Sequence, residues 1–204
     1  MAYFLTLFAY VTVCFFLPNL LRQLLNRKIC GACPAPIRHR LWTWVYWLYC
    51  ALVLHLTGIG TLWDLLSYGK VVGNIHWIPF SEKATIPNIL NVIMVMPLGF
   101  LLPLIWESWR GFWKVVAAGF GFSLLIEIFQ LFNTRLSDVD DLVMNSLGAA
   151  AGYLLWMLYH RLFGAGKSSA PRQKGAEAII YVLLGFAGVF LLYNWRPVSD
   201  LFSS

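Results

Sequence analysis

The chain has 204 residues, of which 60% are hydrophobic and only 12% charged, where a soluble globular protein carries roughly 25% charged residues. That balance excludes an ordinary soluble domain and points to a membrane protein, read here as one domain over residues 1–204. The net charge of +6 does not indicate nucleic acid, because the basic residues fall between apolar runs, where they set topology and meet anionic lipid.

Residues 2–21 are nearly uncharged and about 20 residues long, enough to span a hydrocarbon core. No basic residue precedes them and no small-residue cleavage site follows, so the expectation is an anchor helix, not a removed signal peptide. Residues 22–40 carry Arg22, Arg27, Lys28, Arg38 and Arg40 among breakers. Cys30 and Cys33 form a CxxC there, with His39 nearby. One such pair is half a zinc site, and without a second pair the two are read as loop cysteines. Cys14 and Cys50 fall in apolar runs and read as small core residues.

Residues 41–63 form a second span bordered by Trp42, Trp44, Trp47 and Trp63, with His55 inside as a packing residue. Residues 64–87 read as a connection lying in the interface. Residues 88–106 form a third span, with Asn88 and Asn91 at its entrance and Pro97 and Pro103 inside. Proline removes a backbone donor, which a membrane tolerates where neighbours satisfy the freed carbonyl. Residues 115–133 and 142–160 are the fourth and fifth spans, and 176–195 the sixth.

The expected fold is therefore all-α, a polytopic membrane bundle of six helices. With both termini extracytoplasmic, eleven basic residues face the cytoplasm (Arg22, Arg27, Lys28, Arg38, Arg40, Arg110, Lys114, Arg161, Lys167, Arg172 and Lys174). Four face outward (Lys70, Lys83, Arg135 and Arg196). This is the bias of the positive-inside rule.

The chemistry concentrates in residues 119–152. Glu127 and Gln130 lie three apart, and Asp141 and Asn145 four apart, spacings that share a helix face. Arg135, Asp138, Asp140 and Asp141 fill the hinge between those helices. At about 1.5 Å per residue, Glu127 lies roughly 9 Å below the outer boundary, Asn145 about 6 Å, and Gln130 and Asn91 about 5 Å. Ionisable groups at such depth face a protein interior or a wet cavity. The expectation is one polar pocket beneath the outer face, with Asn91, Glu127, Gln130, Arg135, Asp138, Asp141 and Asn145 as its ligand-binding set. The competing structural reading is that these groups satisfy one another, with Asp140 or Asp141 capping the fifth helix. Gly148 and Gly152, at GxxxG spacing, and Gly119 and Gly121 read as helix contacts without chemistry.

The combination E127-I-F-Q130, R135, D138, D140-D141-L-V-M-N145, G148 and G152 resembles the VanZ-like family of bacterial membrane proteins, named for a teicoplanin-resistance protein. It is preceded by N74-I-H-W-I-P79-F80, N88-I-L-N91 and M96-P97-L-G99. The resemblance covers about residues 41–163, with helices 2–21 and 176–195 as additions. The loop reads NIHWIPF where the family pattern is nearer NLIPF. The resemblance implies a multi-pass protein of the bacterial cytoplasmic membrane and resistance to teicoplanin, a glycopeptide with a fatty-acyl tail.

Three functions follow as expectations. The first is binding of an amphiphile, either a lipoglycopeptide or a lipid-linked cell-wall precursor. Its polar head would enter the pocket, with Arg135 on phosphate or carboxylate, and membrane lipids are the other expected partners. The second is an intramembrane enzyme on a lipid head group, with Glu127 as general base and Asp138 and Asp141 as candidate ligands for Mg²⁺ or Ca²⁺. It is the weaker reading, since the hinge lacks a Cys or His nucleophile, and no cofactor is otherwise expected. The third is a lipid transporter or flippase, which lacks the midplane site and internal repeat usual for that class.

Overall fold

A computed structural model describes residues 2–30, 36–68, 74–76, 86–133, 136–163 and 175–194. Seven α-helices run through them: α1 (Ala2–Cys30), α2 (Ile37–Thr57), α3 (Leu62–Tyr68), α4 (Ile86–Ile105), α5 (Phe112–Gln130), α6 (Val139–Phe163) and α7 (Ala176–Leu192). Two three-residue strands, β1 (Asn74–His76) and β2 (Leu136–Asp138), interrupt the helical pattern. Five helical stretches are long and apolar enough to cross a membrane, and α7 is a shorter apolar helix. Large apolar side chains are exposed along these helices, for example Leu21, Leu41, Ile86, Trp113 and Leu162. A soluble monomer does not leave such patches open, so the protein reads as a multi-pass membrane bundle.

The contacts group the chain into two compact units. The first comprises residues 1–73, 129–135 and 179–204. Within it α1 runs antiparallel to both α2 and α7. Phe4 and Phe8 meet His55, and Phe16 meets Trp44 and Trp47. Tyr10 reaches the Leu192 carbonyl, and Asn19 the Tyr181 carbonyl. Helix α1 runs past the expected residue 21 because no glycine or proline follows Pro18 until Gly31. Pro18 cannot bond the Cys14 carbonyl. Gly188 of α7 lies against that carbonyl and the Pro18 ring, where a Cβ would collide.

Helix α2 stops at Thr57, short of residue 63. Gly58 takes a left-handed conformation (φ 60°) and its N–H returns to the Leu54 carbonyl at 3.1 Å, a helix end that glycine makes inexpensive. The segment from residue 64, expected as connection, includes most of α3. Its start is a capping box: the Asp64 carboxylate accepts the Thr61 N–H and hydroxyl, each at 2.8 Å, and the Asp64 N–H donates to the Thr61 hydroxyl at 3.3 Å.

The second unit comprises residues 74–128 and 136–178. Strands β1 and β2 pair in parallel, with Asn74 opposite Leu136 and His76 opposite Asp138. A parallel pair requires a crossover, which α4 and α5 supply. Helices α4 and α6 run parallel in close contact. A Cβ on Gly148 would strike the Val92 carbonyl, one on Gly152 the Met96 carbonyl, and one on Gly99 the Ala149 carbonyl. Helix α5 runs antiparallel to α6, with Gly119 against the Ala149 side chain. Gly121 meets nothing within 4 Å, so the contact role expected of it belongs to Gly119 alone. Small residues are the usual means by which membrane helices approach this closely. Here they bring the first turns of α4 and α6 and the last turns of α5 to one end of the unit.

Candidate functional site

That end carries the polar groups of the second unit. Asn91, in the second turn of α4, donates its side-chain amide to the Asp141 carboxylate in the first turn of α6. On α5, residues 119, 123 and 127 recur every four positions and so follow one face. Ser123 accepts the Asn145 amide at 2.7 Å and donates to the Asp141 carbonyl at 3.4 Å. Asn91, Asp141, Ser123 and Asn145 thus form one continuous network through three helices. Asn145 is 2% exposed and Ser123 fully buried.

Glu127 is 7% exposed, one turn beyond Ser123. One of its oxygens accepts the Asp138 N–H at 3.1 Å, which ties the end of β2 to α5. The Asp138 carboxylate accepts the Asp140 N–H at 3.0 Å. It therefore supplies the cap for α6, a part expected of Asp140 or Asp141. The reason is position: Asp138 directly precedes the first helical residue, where a side-chain oxygen reaches the N–H two residues on. Asp141, one turn in, is left to meet Asn91.

Not every expected residue joins this network. Gln130 shares α5 with Glu127 but has a different partner. Its amide donates to the Thr57 carbonyl at 3.0 Å, at the end of α2, beside Asn133, which donates to the Gly58 carbonyl at 2.7 Å. Both amides satisfy carbonyls that a helix C-terminus leaves open. Arg135, Cys33 and the chain from 77 to 85 lie outside the described residues, as does the side chain of Cys30. Ser123 escaped the sequence reading. Its signal was available: it lies one turn before Glu127 and one turn after Gly119 in an otherwise apolar run.

Within the network one acceptor remains open, and outside it the Gln130 side-chain oxygen is buried and open as well. The side-chain oxygen of Asn145 is buried and has no hydrogen-bond partner. An unmet buried polar atom costs roughly 1–3 kcal/mol, so a donor supplied at this point stabilises the site. Among the described residues no group of three or more His, Cys, Asp or Glu is placed to hold a metal ion. Between α5 and α6 lies an apolar groove of about 350 Å³ lined by Phe112, Val116, Phe120, Leu142, Val143 and Leu147 among others. That volume is at the lower end of small-molecule sites. On α6 its lining runs from Leu142 and Val143, which follow Asp141 in sequence, to Ala150.

A family model, VanZ/LLP1, matches residues 41–160, which includes every residue of this network. The chain belongs to the VanZ/LLP1 family. No curated protein and no solved structure matches it. The family match covers α2 to most of α6; α1 and α7 lie outside it.

Proposed function

We propose that this VanZ/LLP1 protein binds an amphiphile in the membrane, with its polar head at the Asn91–Asp141–Ser123–Asn145 network and its acyl chain along the α5–α6 groove. The observation that carries the reading is that helices α5 and α6 hold two complementary features. The buried side-chain oxygen of Asn145 has no hydrogen-bond partner, and an apolar groove runs between the same two helices. A head group rich in hydroxyl and amide donors would satisfy the first while its chain fills the second. Arg135, one residue before β2 in sequence, is assigned to a phosphate or carboxylate on the same head group. Lipoglycopeptides such as teicoplanin and lipid-linked cell-wall precursors have this chemistry. Sequestering either would contribute to glycopeptide resistance, the role suggested by the family's name. With the basic segments placed in the cytoplasm, the network opens to the outer side of the cytoplasmic membrane, where both ligands are found.

The test is direct binding of teicoplanin to the purified protein in nanodiscs. Asn145→Leu deletes the open acceptor, and Glu127→Gln weakens the tie that holds the hinge. A hydrogen bond of this kind is worth about 1.5–3 kcal/mol when one partner is charged, so affinity is expected to fall roughly tenfold or more. Affinity unchanged in both variants rules the reading out.

A further inference from the structure

The first unit holds a second polar cluster that the reading above does not use. Arg22 falls inside the apolar span Tyr3–Leu25, where a charge is costly and marks function by default. Its guanidinium lies over the Tyr181 ring, 4.9 Å from the centroid, and its Nη1 is buried without a hydrogen-bond partner. On α2, the Nε of Arg40 is likewise buried and unpartnered. Among the described residues neither arginine meets a carboxylate; the ion pair found there is Arg110–Glu107 at 3.5 Å.

The two arginines lie at one level of the unit. Phe16 of α1 packs on Trp44 and Trp47 of the antiparallel α2. Arg22 is six residues beyond Phe16, about 9 Å along α1. Arg40 is four to seven residues before those tryptophans, about 6–10 Å in the same direction. Tyr181 of α7 ties the third helix in: its ring meets Trp47 at 5.1 Å, its carbonyl accepts Asn19 at 3.1 Å, and its hydroxyl accepts Gln23 at 3.4 Å. Trp47 and Tyr181 are buried among the three helices, so the Arg22 head is held against packed side chains.

We infer that Arg22, held over the Tyr181 ring, and Arg40, at the same level on α2, bind the phosphate of an anionic membrane lipid. A guanidinium stacked on a ring presents its remaining N–H edge to solvent or ligand, and that edge matches phosphate oxygens in pairs. Simple snorkelling into water would explain charge at this depth. It does not explain why Tyr181 holds the Arg22 head, or why Asn19 and Gln23 are in turn spent on positioning Tyr181. A net-negative lipid neutralises two positive charges that meet no carboxylate among the described residues, whereas a zwitterionic lipid brings a cation of its own.

The test uses the full-length protein purified in a neutral detergent, with thermal unfolding and native mass spectrometry as readouts. Phosphatidylglycerol is expected to raise the melting temperature and to remain bound in the gas phase. Phosphatidylcholine and inorganic phosphate, added at the same concentration, are expected to do neither. Arg22→Gln and Arg40→Gln should each weaken phosphatidylglycerol binding about fivefold or more, the effect of one basic residue near a charged membrane surface. Arg22→Lys, which keeps the charge and loses the paired donors, should fall between, and it serves where Arg22→Gln fails to fold. Arg161→Gln, on the exposed end of α6, should bind as the parent does. Equal binding by parent and Arg22/Arg40 variants overturns the inference. So does a phosphatidylcholine response equal to that of phosphatidylglycerol. A shift produced by inorganic phosphate alone refutes a lipid as the source.

Discussion

The hydrogen bond between Asn91 and Asp141 joins α4 to α6 at the polar end, and a double-mutant cycle measures it. Asn91→Ala removes the donor, Asp141→Ala the acceptor, and the double variant both. Asp141 is partly buried at the start of its helix, and its acceptor oxygen belongs to a carboxylate. Hydrogen bonds to charged groups contribute about 1.5–3 kcal/mol, whereas side-chain pairs between membrane helices average about 0.6 and reach about 1.7 kcal/mol. The expected coupling is therefore about 1–2 kcal/mol, with each single variant costing more than the double variant's excess over the other. Reversible unfolding in mixed micelles supplies the four free energies. Independent sites add within about 0.3–0.5 kcal/mol. A coupling inside that scatter would mean that Asn91 and Asp141 do not meet, and the network would lose its α4 member.

The glycines give a second set of outcomes. Gly148→Val and Gly152→Val force side chains into the Val92 and Met96 carbonyls, and each should lower stability by about 1–3 kcal/mol or more. Gly121→Ala, in open space on α5, should be neutral or stabilise by up to about 1 kcal/mol; the same unfolding assay separates the two classes. Ser123→Ala strands the Asn145 amide in the core and should cost about 1–3 kcal/mol, a loss that the double variant with Asn145→Leu should partly restore. Asp64→Ala removes the carboxylate oxygen that accepts both the Thr61 N–H and hydroxyl in the α3 capping box. A cost of about 0.5–2 kcal/mol and faster amide exchange at Thr61 are expected; unchanged exchange there would count against the cap.

The sequence carried the helices and their polar residues better than it carried the partners of those residues. Hydropathy and length located the apolar runs, because burial of a long uncharged stretch leaves few alternatives. Ends were less legible. Helix α1 continues through its basic residues since arginine and glutamine are good helix formers, and charge alone does not stop a helix. The Thr61–Asp64 capping box has a readable spacing, but it straddles the expected boundary between the second span, ending at residue 63, and the connection from residue 64. The two strands are three residues each, too short for any periodicity to register. At the site, agreement in depth brought Asn91, Asp141 and Asn145 to the same end. Depth does not fix direction around a helix, however. Glu127 and Gln130 stand about 60° apart around the helix, three residues at 100° each being 60° short of a full turn, and that offset is enough to take Gln130 to the Thr57 carbonyl. Serine on an apolar helix usually bonds its own backbone, whereas Ser123 bridges the Asn145 side-chain amide and the Asp141 backbone carbonyl on α6.

The central claim is that the α4–α5–α6 network and its adjoining groove receive an amphiphile. An experimental structure of the full-length protein with teicoplanin tests it most directly. The account predicts a head-group donor within hydrogen-bond distance of the Asn145 side-chain oxygen and acyl density between Phe120 and Leu142. Teicoplanin bound elsewhere, with the Asn145 oxygen unpaired and the groove holding only bulk lipid, would contradict it.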